Sequence, residues 1–322
     1  MGSTPSRPLI RNNNDPNVPP SLRFSRHRQM ILSSVFSVHR RYLCFSTAHS
    51  YERFKAAGKK YGTAQNLRDE GLGVPLFEFE DPSALTRLTN SDIGRFQISK
   101  FVYQSTSQPP PHPESTVVCQ NKTHVIYKMP FCIVNRIYSG SRSGYEFSFY
   151  TPDGILTVKA LKHHLSIELD ALLGEWNVGW RRTRFEDYDL LVLPPQARSL
   201  LDPPEVSASK PSGSQSRQKY ERNATLWAKY LDAGESFLPA MSKKLAVLEI
   251  GEVEFETDAT AYGLASIPWF SQVIACMALV QCQRIQQTRR KNKRGRNNWG
   301  AAGNMHFNTV NMVNTNIANG TF

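Results

Sequence analysis

Ala259–Gln283 reads ATAYGLASIPWFSQVIACMALVQCQ, carries no charge, and runs straight into Arg284-Ile-Gln-Gln-Thr-Arg-Arg-Lys-Asn-Lys-Arg-Gly-Arg296. A helix that is apolar on every side must be hidden, either in lipid or inside protein. Thr260, Gly263, Ser266, Pro268, Ser271, Gln272, Gln281 and Gln283 dilute the stretch, and only Val273–Val280 is apolar all round. At 1.5 Å per residue that core is about 12 Å long, against about 30 Å of hydrocarbon in a bilayer. A lumen can take a helix of that length, so the stretch is read as the filling of a β-barrel. The alternative is a single-pass membrane protein anchored by 259–283, for which the basic run would supply a positive inside flank.

Outward from the helix, the period of the preceding chain is two. His124–Ile137, Tyr145–Tyr150, Ile155–Ala160, Leu165–Leu169, Trp176–Arg182, Asp189–Leu193, Ala224–Tyr230, Leu245–Ile250 and Glu252–Thr257 all read as strands. Thr151-Pro-Asp-Gly154 is a hairpin turn, with Pro presetting φ and Gly supplying the left-handed position. Residues 194–219, rich in Pro, Ser and Gln, read as a loop between strands. Nine or so short strands and one apolar helix predict a mainly β fold: an antiparallel β-barrel closed around a C-terminal hydrophobic helix.

Residues 115–290 are assigned to this barrel. Before them, Pro109-Pro-Pro-His-Pro113 reads as a stiff linker (109–114). Residues 51–108 read as a short helical and strand segment. Phe54, Ala57, Tyr61, Ala64 and Leu67 predict one helix over Tyr51–Leu72, Pro82–Arg95 a second, and Phe96–Gln104 a strand. Residues 291–322, basic and then rich in Asn, read as a disordered tail.

The formal net charge of +12 is unevenly placed. Residues 1–60 carry +9 and residues 284–322 carry +7, which leaves −4 for 61–283. A folded DNA-binding face is therefore not expected, whereas basic ends are. The first fifty residues hold seven Arg, no Lys and one Asp. Either they are a basic disordered segment or, with Met30 as a second start, a mitochondrial presequence trimmed near Arg40-Arg-Tyr-Leu-Cys-Phe-Ser. This gives a mitochondrial address, with nucleus or cytoplasm as the alternative. Five cysteines without ligand spacing suit buried thiols in a reducing compartment.

An antiparallel domain ending in two strands and a hydrophobic helix resembles the tubby C-terminal-like superfamily, which includes phospholipid scramblase and LURP-one-related proteins. The matching parts are Trp180-Arg-Arg-Thr-Arg184 at a strand end, Leu245–Ile250 with Gly251 before the last strand, and 264–283 as the central helix. The resemblance implies a twelve-stranded barrel around that helix and a role at lipid surfaces, as in an uncharacterised fungal-type member. Two departures stand out. The phosphoinositide-binding Lys/Arg pair of tubby proteins has no counterpart, and the acidic segment of scramblases is echoed only by Glu252, Glu254, Glu256 and Asp258.

Those four acids share one face of a strand, about 7 Å apart. They read as a solvated outer face or, more sharply, as a stripe for a cation or a basic partner. Arg289, Arg290, Lys291, Lys293, Arg294 and Arg296 form the one dense basic cluster, a contact for anionic membrane lipid or for RNA. Gly140-Ser-Arg-Ser-Gly144 fails as a nucleophile elbow because Arg142 holds the central position. His163-His164 point to opposite sides of a strand. No catalytic residue, metal or cofactor is assigned, and no small-molecule substrate is identified. The expectation is a non-enzymatic lipid-binding or membrane-proximal adaptor; an organellar or nuclear RNA-associated protein is the alternative.

Overall fold

The structure, a computed structural model, describes residues 18–290 apart from 37–39, 81–94, 141, 164–167, 185, 203–223, 235–241, 254–263 and 265–266, together with residue 292. The chain divides into two compact units, Met1–Leu279 and Val280–Phe322.

Alternating apolar residues build the wall of the first unit. Its strands are β1 (Arg26–Phe36), β2 (Arg40–Phe45), β3 (Phe77–Glu80), β4 (Arg95–Ser105), β5 (Thr116–Gln120), β6 (His124–Ser139), β7 (Arg142–Thr151), β8 (Gly154–His163), β9 (Leu169–Leu173), β10 (Trp176–Arg184), β11 (Asp187–Val192), β12 (Thr225–Asp232) and β13 (Ser242–Glu252). From β6 to β13 each strand pairs antiparallel with the next; β13 pairs with β1, the order continues through β2 and β3 to β4, and β4 pairs with β6. Twelve antiparallel staves thus close a barrel, and β5 is attached to β6 outside the ring. Directly opposed residues share a face, so the inward row can be followed across the wall: Leu32, Cys44, Phe77 and Lys100 are successive partners. Pro130 sits inside a paired strand because the register of β4 against β6 shifts there, between Ile98 and Ser99.

The expected barrel is present, but its boundary is corrected. A ring begun at residue 115 would hold only β6–β13 and leave two open edges. The four closing staves come from 26–105, so much of the segment read as a basic tail or presequence is barrel wall. Residues 109–114 are a loop between β4 and β5, not a domain boundary. The helix expected over Tyr51–Leu72 is two, α1 (Ala48–Ala56) and α2 (Ala64–Arg68). Gly58 and Lys59 both take positive φ and break it. Thr47 and Thr63 then cap the two starts by accepting from Ser50 N and Asn66 N. Both helices lie on the outer wall, α1 over Ile31, Leu43 and Phe45, α2 over Phe101 and Ile126.

The strands read as Leu245–Ile250 and Glu252–Thr257 are one strand as far as Glu252. Gly251 lies inside it because a Cβ there would collide with the Phe24 ring. Of the strand read as Leu165–Leu169, residues 165–167 lie outside the described residues, and the described strand here is β9, Leu169–Leu173. The expected helix over Pro82–Arg95 lies, but for Arg95, outside the described residues.

The apolar helix, α3 (residues 269–290), begins inside this ring. Trp269 meets Phe131 and Phe149 edge-on at 6.2 and 5.4 Å, and Val273–Leu279 are all buried. Burying Val273, Ile274, Met277 and Leu279 contributes at most about 6–12 kcal/mol. Among the described residues no helix is long and apolar enough to cross a membrane. In the second unit α3 continues from Val280 to residue 290, with Val280, Cys282 and Ile285 buried.

Candidate functional site

Antiparallel order puts the β7–β8 and β9–β10 turns at the same end of the barrel. The Thr151–Gly154 turn forms as the sequence predicts. Gly154 has φ +124°, and Thr151 Oγ1 donates to the Gly154 carbonyl at 2.8 Å. Ile155 and Leu156 follow directly, 66 % and 45 % exposed. On the neighbouring hairpin Leu172 is 46 % exposed, two residues before Gly174, whose φ is +61°. Phe270, at the start of α3, lies 3.1 Å from where a Cβ on Gly174 would stand and is 37 % exposed. Its ring meets Trp227 at 5.4 Å, and Trp227 stacks on Phe24 at 6.0 Å. Ile155 and Leu156 face opposite sides of β8, and with Leu172 and Phe270 they make four exposed large apolar side chains toward one end of the barrel.

Behind this lip the sequence-predicted acidic stripe is partly accounted for. Glu252 ends β13 and is buried, not solvated. It accepts from Arg28 at 2.6 and 3.1 Å and from Ser271 Oγ of α3 at 2.8 Å, and Arg26 lies 3.2 Å away. Its basic partners are therefore on β1. Glu254, Glu256 and Asp258 lie outside the described residues. Of the basic cluster, Arg289 and Arg290 are half-buried on α3 and both have partners; Lys291, Lys293, Arg294 and Arg296 lie outside the described residues.

Three further polar sites have no counterpart in the sequence reading. On the outer wall, a cleft of about 420 Å³ is lined by Glu78, Glu80, Gln97, Ser99, Glu114 and Lys128, among others. Buried Glu78 accepts from Lys128 at 3.0 Å and from the Tyr61 hydroxyl at 2.9 Å, and Arg41 donates to that hydroxyl. Burial and the Glu78 charge push the Tyr61 phenol far above its usual range. Elsewhere on the wall Arg181 reaches Asp170 at 2.6 Å, both buried. The guanidinium lies over Gly179, where a Cβ would strike it. In the lumen, Lys100 donates to Gln272 Oε1 at 2.8 Å and sits over the Phe131 ring. Burial lowers its pKa. The same burial raises the thiol of Cys276, with Cys132 and Cys44 close by. All five cysteines are free, and among the described residues no cluster of three or more His, Cys, Asp or Glu is placed to hold a metal.

The sequence reading missed the apolar lip. Its signal was present in Ile155-Leu156: adjacent residues of a strand face opposite ways, so one of the two had to point out of the barrel.

A closed twelve-stave barrel around a hydrophobic helix, with an apolar lip where the helix enters, defines the class. The family model described as DIA1 matches residues 25–291, and the chain belongs to that family. The match runs from just before β1 to just past α3. Two Saccharomyces cerevisiae proteins are similar along most of their length. Protein DIA1 is 26 % identical over 302 residues, which is 86 % of this chain and 87 % of that protein. The uncharacterized protein YOR385W is 27 % identical over 268 residues, 80 % of this chain and 86 % of that protein. No solved structure matches the chain.

Proposed function

We propose that this chain is a non-enzymatic, membrane-proximal adaptor that docks on lipid through the apolar end of its barrel. The observation that carries this reading is the grouping of Ile155, Leu156, Leu172 and Phe270 at one end. The lumen at that end is taken up by α3 and the aromatic rings around Trp269, so the lip leads to a surface and not to an enclosed substrate site. Each apolar side chain entering the interface contributes about 1–2 kcal/mol. A separate candidate contact, not part of the lip, is the basic run Arg289–Arg296 in the second unit, whose attraction to anionic headgroups is about 1 kcal/mol per charge near a surface. The architecture is the one that the tubby-like resemblance implies, and this supports a lipid role without identifying a headgroup.

Flotation of the full chain with vesicles tests both parts. Ile155→Ser, Leu156→Ser and Leu172→Ser together are expected to lower partitioning into neutral and anionic vesicles alike, by at least about a hundredfold. Replacing the basic residues of 289–296 with Gln is expected to lower it on anionic vesicles only. Unchanged flotation of the triple variant overturns the docking surface; unchanged flotation of the Gln variant removes the tail from the reading and leaves the lip.

A further inference from the structure

The cleft on the outer wall is built by three strands that bring polar groups to one face. Glu78 of β3, Ser99 of β4 and Pro130 of β6 are successive cross-strand partners, so they share the outward row. Glu80 and Gln97 stand two residues further along β3 and β4 and therefore face the same way. Pro130 sits at the register shift between Ile98 and Ser99, an irregularity of the kind that bends a strand and re-aims its side chains. Thr116, paired with Lys128, and Glu114 complete the lining from the β5 side. At about 420 Å³ the cleft falls within the size range of small-molecule sites.

Its polar groups are unequally satisfied. Buried Glu78 is already balanced, with Lys128 at 3.0 Å and Arg41 at 3.7 Å. Ser99 is only 9 % exposed and lines the cleft, yet its hydroxyl makes no hydrogen bond among the described residues. A buried hydroxyl costs free energy unless water or a ligand supplies its partner. Glu80 and Glu114 are exposed, and neither carboxylate takes part in an ion pair among the described residues. Lys128, the one basic residue of the described lining, is taken up by Glu78, so the lining keeps an excess of negative charge.

We propose that this cleft binds a linear polyamine, an extended aliphatic chain that carries two or more ammonium groups. The form of the cation follows from the spacing of the acids. Glu78, Glu80 and Glu114 line one cleft but are not placed to share a metal ion. Carboxylates held apart are matched by ammonium groups held apart on one chain, not by a single point charge. Each ammonium brings three donors, enough to serve a free carboxylate and the Ser99 hydroxyl oxygen together. The methylenes between them lie along Pro130 and the Thr116 methyl. The inference is independent of the lipid reading.

Calorimetric titration of spermidine into the full chain tests it. Saturable one-to-one binding is expected, with no competition from magnesium chloride at equal concentration. The double variant E80Q/E114Q should weaken binding about tenfold through loss of two exposed ion pairs. Ser99→Val should weaken it by about as much, through loss of a hydrogen bond to a charged donor. Glu175→Gln removes an exposed carboxylate from the β9–β10 turn and should leave binding as it is. Unchanged thermal melting shows that the variants remain folded. The proposal is overturned by an absence of saturable binding, by full binding to E80Q/E114Q or S99V, by an equal loss in E175Q, or by magnesium displacing spermidine.

Discussion

The eight staves β6–β13 and the four staves β1–β4 close one ring but balance their charges differently. In the first block the buried pair Asp170–Arg181 joins consecutive strands, and its carboxylate also accepts from Leu200 N at 3.0 Å. In the second block neighbouring strands also supply partners, but others are remote. Arg28 finds Glu252, 224 positions along the chain, and Glu78 is held by Arg41, Tyr61 and Lys128. The excess of arginine at the start of the chain is therefore matched, at least for Arg26, Arg28 and Arg41, by carboxylates that the fold delivers. Strand alternation is the same in both blocks; what differs is the sequence distance over which charge is satisfied.

Removing residues 1–45 breaks the comparison most severely. It takes out β1 and β2, opens the edges of β3 and β13, and strips Glu252 of both arginines. We expect no cooperative thermal transition from the truncated chain; a melt like that of the parent would show the eight-stave block to be self-sufficient. Next in size is Asp170→Ala, which leaves Arg181 buried without its partner and should lower stability by about 3–5 kcal/mol in denaturant titration. Glu252→Ala should lower it by about 2–4 kcal/mol, less because water reaches Arg26 and Arg28. If Glu252→Ala proved the costlier of the two, long-range pairing would outweigh local pairing in this barrel.

A smaller effect concerns pH. Burial holds Lys100 below its ordinary value of 10.5, so the unfolded chain binds that proton more tightly. Stability contributed through this group therefore rises with pH over the window just below 10.5. Lys100→Met should flatten that rise, and equal slopes in parent and variant from about pH 8 to 10 would count against it. Smallest of all, Lys55→Ala removes an exposed pair with Glu52 and should change stability by no more than about 0.5 kcal/mol.

Much of the wall was legible beforehand. β4, β6, β7, β8, β10, β11 and β12 follow period-two patterns bounded by turn residues, and the Pro-Asp-Gly turn formed where its chemistry required it. β1 and β2 were misread because Arg and Ser alternate with Met, Ile and Leu. That composition suits a presequence as well as a strand, and only the inward row of Met30 and Leu32 against Leu248 and Ala246 separates them. The lip was missed for another reason: exposure depends on which turns share an end, and that is a property of strand order.

What the chain determined by itself was the alternation of its strands, the chemistry of its turns, and a helix too short in apolar length for a bilayer and too apolar for water. These are local properties, set by side-chain spacing and backbone preference. Only the tertiary structure decided where the ring closes, which strand is left outside it, and which carboxylates receive the N-terminal arginines. Those outcomes depend on pairings between residues more than two hundred positions apart, such as Arg26 and Glu252, and no local pattern encodes which distant strand edge a given edge will meet.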